Sequence, residues 1–463
     1  MIRRKASLAT THEPAVGPLR RVLLAAKLVA LTAITLSAAH AQQINRVAVE
    51  RVRTGPQGTY AIRNARIVTV SGSEIENGTI VIRNGKIEAV GANVSVPAGA
   101  QQIDARGLVV YPGMIDAGTS LGLVEVPTGA PGTVDLSEVG DMNPNAQALI
   151  AVNPHSAHVG VTRVNGVTTV LTMPRGGIIS GQAAIINLDG TTQWEMSLVP
   201  AAALVIDYPR VTMGGGQFAL LQAQQPPSNI AEAVRARDRQ VEQLRKMLRD
   251  AEAYARDSRS VPRPERNVVL EALVPYVRGE RPVIFRADRE QEIRAVIRFA
   301  EEMKLRPIIL GGNDAWKVAQ LLREKNVPVI LNGVLDLPMR EDDPYDVLFE
   351  NAAKLQRAGV RFCISTGDTG AHVRDLPYHA GMAAAFGLPK DEALKAVTLY
   401  PAQILGIADR VGSIEPGKIA NLVIADGDLL EARTNIRYLF INGKQIPLVS
   451  RHTELYEQFK DRP

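Results

Sequence analysis

The sequence predicts an α/β fold, a parallel sheet closed into a barrel with a smaller β-rich unit beside it. Short apolar runs at residues 167–171, 203–206, 283–285, 307–310, 327–331 and 361–364 alternate with helical stretches around 290–304, 316–325 and 346–358. Strand and helix in alternation build a parallel sheet with helices packed on it. A chain of 463 residues is too long for one small domain; a barrel of about 250 residues plus a second domain accounts for it. The β-rich unit is written at both ends. Apolar and polar residues alternate between residues 60 and 103, and a similar pattern returns between 414 and 444.

The first residues read as an export signal. Arg3, Arg4, Lys5, Arg20 and Arg21 precede an apolar run at 28–36, and Ala39-His40-Ala41 supplies the small residues of a cleavage site. That run is shorter than the roughly 20 residues a membrane span needs, and no such span is expected in the mature chain. The first 41 residues hold six Lys or Arg and one acid, so of 53 bases and 48 acids the rest of the chain keeps 47 of each. The basic character belongs to the signal, and no nucleic-acid or anionic-membrane partner is expected. The expected location is periplasmic or extracellular. Apolar residues make up 46% of the chain and charged residues 22%, a balance that buries a large core. Cys363 is the sole cysteine, so no internal disulfide forms, and Phe362-Cys363-Ile364 reads as a buried strand with an inert thiol.

Taken in order, Asn77-Gly78 and Asn84-Gly85 are type I′ hairpin signals joining strands at 79–82 and 86–90. Leu108-Val109-Val110 reads as a buried parallel strand, and the stretch Tyr111-Pro112-Gly113-Met114-Ile115-Asp116-Ala117-Gly118-Thr119-Ser120 follows it into the barrel mouth. Residues 121–160 form a loop hanging from that strand over the mouth. Gly176-Gly177-Ile178-Ile179-Ser180-Gly181-Gln182 reads as a second mouth loop, without the Gly-Lys-Ser/Thr ending of a phosphate loop. Residues 229–258 carry Ile230, Val234, Val241, Leu244, Leu248 and Ala251 at helical spacing in a charged context, a solvated helix packed on the barrel.

Pro112, Gly113, Ile115 and Asp116 resemble the first-strand signature Pro-Gly-x-Ile-Asp-x-His-x-His of the amidohydrolase superfamily, close to its imidazolonepropionase-like branch. Residues 412–423 resemble that family's C-terminal wording, G-S-I-E-P-G-K-x-A-x-L-V, with Asn421 where Asp is usual. The resemblance implies a (β/α)8 TIM-type barrel with a small composite β-sandwich built from both chain ends. It divides the chain into a signal peptide at 1–41, sandwich at 42–112, barrel at 113–407 and sandwich again at 408–463. The family hydrolyses amide or peptide-like C–N bonds with a water activated by zinc or another divalent metal.

Position by position, the resemblance puts the metal ligands at Gly118, Ser120, Arg286, Gly311 and Asp368. Four of these are histidines in the family, and none is here; Asp368 keeps the acid that serves as base toward the attacking water. No metal or other cofactor is therefore expected. Other residues placed toward the mouth are Asp116, His155, His158, Ser180, Gln182 and His372. The histidines read equally as solvated loop residues, and Asp116 as a buried acid bonded to nearby backbone. Arg286 and Asp368, on two strand ends aimed at one mouth, are expected to pair. Two readings follow: a metal-depleted relative that binds a small-molecule or peptide-like ligand, or supports an active amidohydrolase paralogue or further copies of itself; or an active hydrolase rebuilt around Asp368 and nearby histidines.

The export reading has a direct check. Cleavage after Ala41 leaves Gln42 as the mature N-terminus, which Edman or mass-spectrometric sequencing of secreted protein reads directly. Secreted protein still carrying residues 28–36 would contradict it.

Overall fold

At Gly113 the chain passes from one sheet to another. A β-carbon there would stand 2.2 Å from the Thr168 hydroxyl oxygen, so only hydrogen fits, and the Gly113 N–H donates to the Asn421 carbonyl at 2.8 Å. The computed structural model describes residues 53–126, 130–212, 229–257, 265–367 and 370–462. The predicted signal at 1–41 lies outside these residues.

Strands β1 (Tyr60–Ile67), β2 (Ile75–Arg83), β3 (Lys86–Gly91), β4 (Gln101–Asp104) and β5 (Val109–Pro112) precede the crossing. With β14 (Leu422–Ala425), β15 (Ile436–Ile441) and β16 (Lys444–Ile446) they form one eight-stranded sheet. β5 pairs parallel to β1 and antiparallel to β14, so the two chain ends are stitched at its centre. Tyr60, Ile62, Ile80, Ile82, Val110, Ile424 and Phe440 fill its core. The flanking unit is thus one continuous hydrogen-bonded sheet around its own core.

Two local readings change and one stands. Val109 and Val110 belong to this sheet, because a strand covered on both faces is apolar throughout whichever sheet it joins. Asn84 and Gly85, with φ of 53° and 78°, do turn the β2–β3 hairpin. Asn77-Gly78 does not turn; it lies inside β2, where a β-carbon on Gly78 would stand 2.3 Å from Ile67.

The second sheet runs in sequence order: β6 (Met114–Thr119), β7 (Val167–Thr172), β8 (Ile179–Asn187), β9 (Ser197–Asp207), β10 (Val283–Ala287), β11 (Pro307–Gly311), β12 (Val329–Leu331) and β13 (Phe362–Ile364). It is a nearly closed TIM-type barrel. One side chain set, including Ile115, Leu171, Ile185, Val205, Ile284, Ile308, Ile330 and Cys363, comes from all eight strands and fills the interior. Alternate positions, such as Ile206, Phe285, Ile309, Leu331 and Ile364, face the surrounding helices. Cys363 is fully buried, and burial pushes its thiol well above its ordinary value.

The barrel departs from pure (β/α)8 at one strand. β8 is antiparallel to both β7 and β9, and antiparallel neighbours connect by short turns instead of helical crossovers. The expected glycine-rich mouth loop is therefore a turn at Gly176 and Gly177, with φ of 92° and 67°, followed at once by β8. Ser180 and Gln182 lie in that strand, 1% and 6% exposed.

Residues 141–152 of the expected loop pack beside it. Asp141 and Ala146 carbonyls accept from the N–H groups of Ile179 and Gln182, at 2.9 Å and 2.8 Å, and Leu121, Leu149 and Val152 are buried. The charged helix expected at 229–258 is α1 (Ile230–Asp257), which turns Leu244, Leu248 and Ala251 inward. Arg245 clamps Glu302 on α2 (Glu290–Glu302) from outside.

No backbone ladder joins β13 back to β6 among the described residues. Asp116 bridges that seam instead. Its carboxylate accepts from Ser365 Oγ at 2.6 Å, Thr366 Oγ1 at 2.6 Å, Thr366 N at 3.2 Å and Gly118 N at 3.1 Å. Burial raises its pKa, while the bonds from Ser365 and Thr366 pull the other way. A second polar joint ties barrel to flanking sheet: the Asn421 amide donates to Thr169 Oγ1 and Asn187 Oδ1 at 3.1 and 3.0 Å, and its carbonyl oxygen accepts from Asn442 N at 2.9 Å.

Asp116→Ala leaves four side-chain or backbone donors without their acceptor, three of them across the seam, and isolating each such polar group costs free energy. We expect it to lower unfolding stability by about 3 kcal/mol or more in a denaturant titration. A change within the noise of a surface substitution would show that the seam is held by other contacts.

Candidate functional site

The upper end of the barrel is set by strand parity. Side chains alternate faces along a strand, so the interior residues Val205 and Ile284 put Asp207 and Arg286 into the interior one layer higher, at the C-terminal ends of β9 and β10. These two residues are partners in register on neighbouring parallel strands. Strand ends of this kind form the mouth of a TIM-type barrel.

The positions singled out as altered metal ligands are filled or turned away. A β-carbon on Gly118 would stand 2.4 Å from Ser365 Oγ and 3.1 Å from Leu310 Cδ1. Ser120 is fully buried and its hydroxyl donates to the Met173 carbonyl at 2.9 Å. Gly311 has φ of 113°, and a β-carbon there would stand 2.4 Å from the Asp288 carboxylate. Arg286 sends Nη2 across the mouth to the Pro174 carbonyl at 3.2 Å, and a guanidinium has no lone pair to give a metal. Among the described residues no three His, Cys, Asp or Glu side chains are grouped to hold a metal ion. These residues do not fit the divalent metal that the resemblance implies.

Asp368 lies outside the described residues, and so does the pairing expected between it and Arg286. Beside it, the Gly367 carbonyl accepts from Arg175 Nη2 at 2.7 Å. The histidines are not gathered into one site. His155 is exposed. His158 lies in the first turn of a short helix capped by Ser156, and its Nε2 lies 3.1 Å from the Glu125 carbonyl. His372 is 64% exposed, with Nδ1 3.0 Å from Asp375. Gln182 does not face a ligand; its Nε2 donates to the Pro144 carbonyl at 2.8 Å. Ser180 is buried in β8 beneath the 141–147 segment.

Three acids and three bases share the rim between β7 and β11. Burial raises the Asp207 carboxyl, against the opposing pull of Arg210 and Arg286. Burial, helped by the nearby Glu292 charge, raises Asp288 to about 6. Burial and the neighbouring Arg175 charge lower Arg286 to about 10. Desolvated charges of both signs at strand ends are the electrostatic mark of a binding site. Sequence reasoning passed over Asp207, Asp288 and Arg175. The signal for Asp207 was available, an acid directly after the last apolar residue of the 203–206 run.

With the geometry in place, the similarities to known proteins converge. The amidohydrolase family profile matches residues 319–446. The imidazolonepropionase of Mesorhizobium japonicum is 25% identical over 401 residues, spanning 80% of this chain and 93% of its own. The N-acetylglucosamine-6-phosphate deacetylase of Haemophilus influenzae is 39% identical over 64 residues, 13% of this chain and 17% of its own. The crystal structure of an amidohydrolase from Thermotoga maritima superposes with a TM-score of 0.75 at 25% identity, over 84% of this chain and 99% of its own. The barrel, the matched C-terminal segment and these relatives support the amidohydrolase superfamily for this chain, and hydrolysis as its class of function.

Proposed function

We propose that this chain is an exported, metal-depleted member of the superfamily whose barrel mouth binds a small-molecule or peptide-like ligand through fixed charges. The observation that carries this reading is the packing at Gly118 and Gly311. Each lacks a side chain, and the space a β-carbon would need is taken by Ser365 and Asp288 respectively. A histidine at 118 displaces the Ser365 side chain from its bond to Asp116, and one at 311 displaces the Asp288 carboxylate in a backbone of φ 113° that side chains rarely adopt. At the third position a protonated guanidinium repels a divalent ion. The loss of ligands is therefore built into the packing of the strand ends.

The alternative, a hydrolase rebuilt around Asp368 with His155, His158 or His372, has less support. Two of those histidines are exposed, and the third is engaged with a backbone carbonyl. Association with an active paralogue or with further copies of this chain is compatible with a ligand-binding role, and the family resemblance motivates it. No helix among the described residues is long and apolar enough to cross a membrane.

Elemental analysis of the mature protein tests the central claim. After dialysis it should hold well below one equivalent of zinc, manganese or iron, because a stable site needs several N, O or S ligands in fixed geometry. A stoichiometric metal that resists chelation would overturn the proposal. Arg286→His should not restore metal binding, since Gly118, Ser120 and Gly311 still contribute no ligand. Gly118→His should lower stability by about 3 kcal/mol or abolish folding, as overpacking of a filled site does; a stable Gly118→His protein that takes up zinc would contradict the packing argument.

A further inference from the structure

Arg286 and Asp207 present a contradiction that the fold leaves open. They stand on neighbouring strands in register, both on the inner face, both in the top layer of the barrel. Paired strands lie about 4.8 Å apart, so an arginine and an aspartate placed this way are well within reach of a salt bridge. They do not form one. Among the described residues, the side chain of Arg286 makes a single hydrogen bond, from Nη2 to the Pro174 carbonyl, and the Asp207 carboxylate accepts none. Pro174 follows β7, three strands from β10 in the sheet order, so the arginine is drawn across the mouth and away from its neighbour.

Two partly desolvated charges left apart are costly, and closing the pair would relieve both. A fold that holds them open keeps a cation and an anion facing one space. Arg286 retains most of its donor fork, the geometry that binds a carboxylate with two parallel bonds. Asp207 retains all its acceptor capacity, which suits an ammonium group. Other charges border the same space: Arg175, bonded to the Gly367 carbonyl, and Asp288, against Gly311, both act on Arg286, and Arg210 acts on Asp207 as well as on Arg286.

We propose that the neighbouring charges of Arg286 and Asp207 form a binding site for a small zwitterion, an α-amino acid or a molecule of that class, whose carboxylate meets Arg286 and whose ammonium meets Asp207. The proposal rests on the reading of the mouth as a metal-free ligand site and supplies the chemistry of the ligand. The family's cation is replaced by a protein cation, so the ligand supplies the anion, and Asp207 demands a second, positive group beside it. Neither a simple carboxylate nor a simple amine satisfies both side chains, and specificity for the combination follows from the penalty of leaving one charge unpaired.

The test uses the mature full-length protein after chelator treatment. Thermal shift and calorimetry with the twenty α-amino acids should find at least one that binds with Kd of about 1 mM or tighter. The N-acetyl and amide derivatives of the best binder, each lacking one charge, should bind at least about tenfold more weakly. Asp207→Asn and Arg286→Gln should each weaken binding by at least about tenfold. Asp207→Asn should leave the unfolding midpoint of the free protein unchanged or higher, because it removes a desolvated charge that accepts no hydrogen bond and closes no ion pair. It carries the test alone if Arg286→Gln does not fold. Absence of binding by every amino acid, equal binding of the derivatives, or a lowered midpoint in free Asp207→Asn, which would mean the two side chains pair with each other, each overturns the proposal. Elemental analysis of the same sample keeps the two readings apart: a retained metal tells against the metal-free mouth, whereas failed binding in a metal-free sample tells against the zwitterion alone.

Discussion

The Asp116 carboxylate is the constraint on which the rest of the barrel depends. Eight strands in sequence order leave one gap, between the first and the last, and there an acid takes the place of a ladder. Among the described residues no cation stands beside it, and it holds its position through four donated hydrogen bonds, two from the side chains of Ser365 and Thr366 and two from backbone N–H groups. A buried acid held this way fixes both strand ends against each other. The same closeness is what presses Ser365 against Gly118. Closure of the barrel and the absence of a side chain at position 118 are therefore one packing fact seen from two sides.

Above that seam the interior changes character within a single layer. Up to Val205, Ile284 and Leu310 it is apolar and filled; at Asp207 and Arg286 it becomes charged. The antiparallel strand β8 contributes to this change. By rising toward the mouth with Ile179 and Ser180, and by carrying the 141–147 segment on its flank, it walls off one side of the rim. The polar groups it brings are spent within the protein, as with Gln182 and Pro144. The open charges lie on the side formed by β9, β10 and β11.

Much of this architecture is legible in the sequence, for reasons that differ by element. Strand and helix alternation marks β9 to β13 because parallel strands are buried on both faces and read as apolar runs. That same property hides which sheet a run belongs to, and Val109-Val110 was ambiguous on that account. Asn84-Gly85 announces a turn because both residues accept positive φ. Asn77-Gly78 carries the same wording, yet its glycine is there for the close approach of Ile67, a tertiary demand that no dipeptide rule contains. β8 escaped because its glycines resemble a loop while its strand direction depends on neighbours. The residues at the altered ligand positions could be read directly. What surrounds them could not, since the contacts of Ser365 with position 118 and of Asp288 with position 311 exist only after folding.

The sheet stitched from both chain ends sets the order in which this molecule can come into being. Tyr111 in β5 donates to the Gly427 carbonyl across 316 residues of chain, and β5 finds its antiparallel partner only in β14. The N-terminal strands are thus synthesised long before the segment that completes them, and their open edge waits through the making of the whole barrel. Contacts of such length fold slowly, because the loop between them must be closed before the contact rewards it. Final assembly of the flanking sheet is therefore a late event, governed by the last tenth of the chain, and a ribosome-bound or truncated product that stops short of β14 exposes β5, with Val109, Val110 and Tyr111, as an unpaired strand edge.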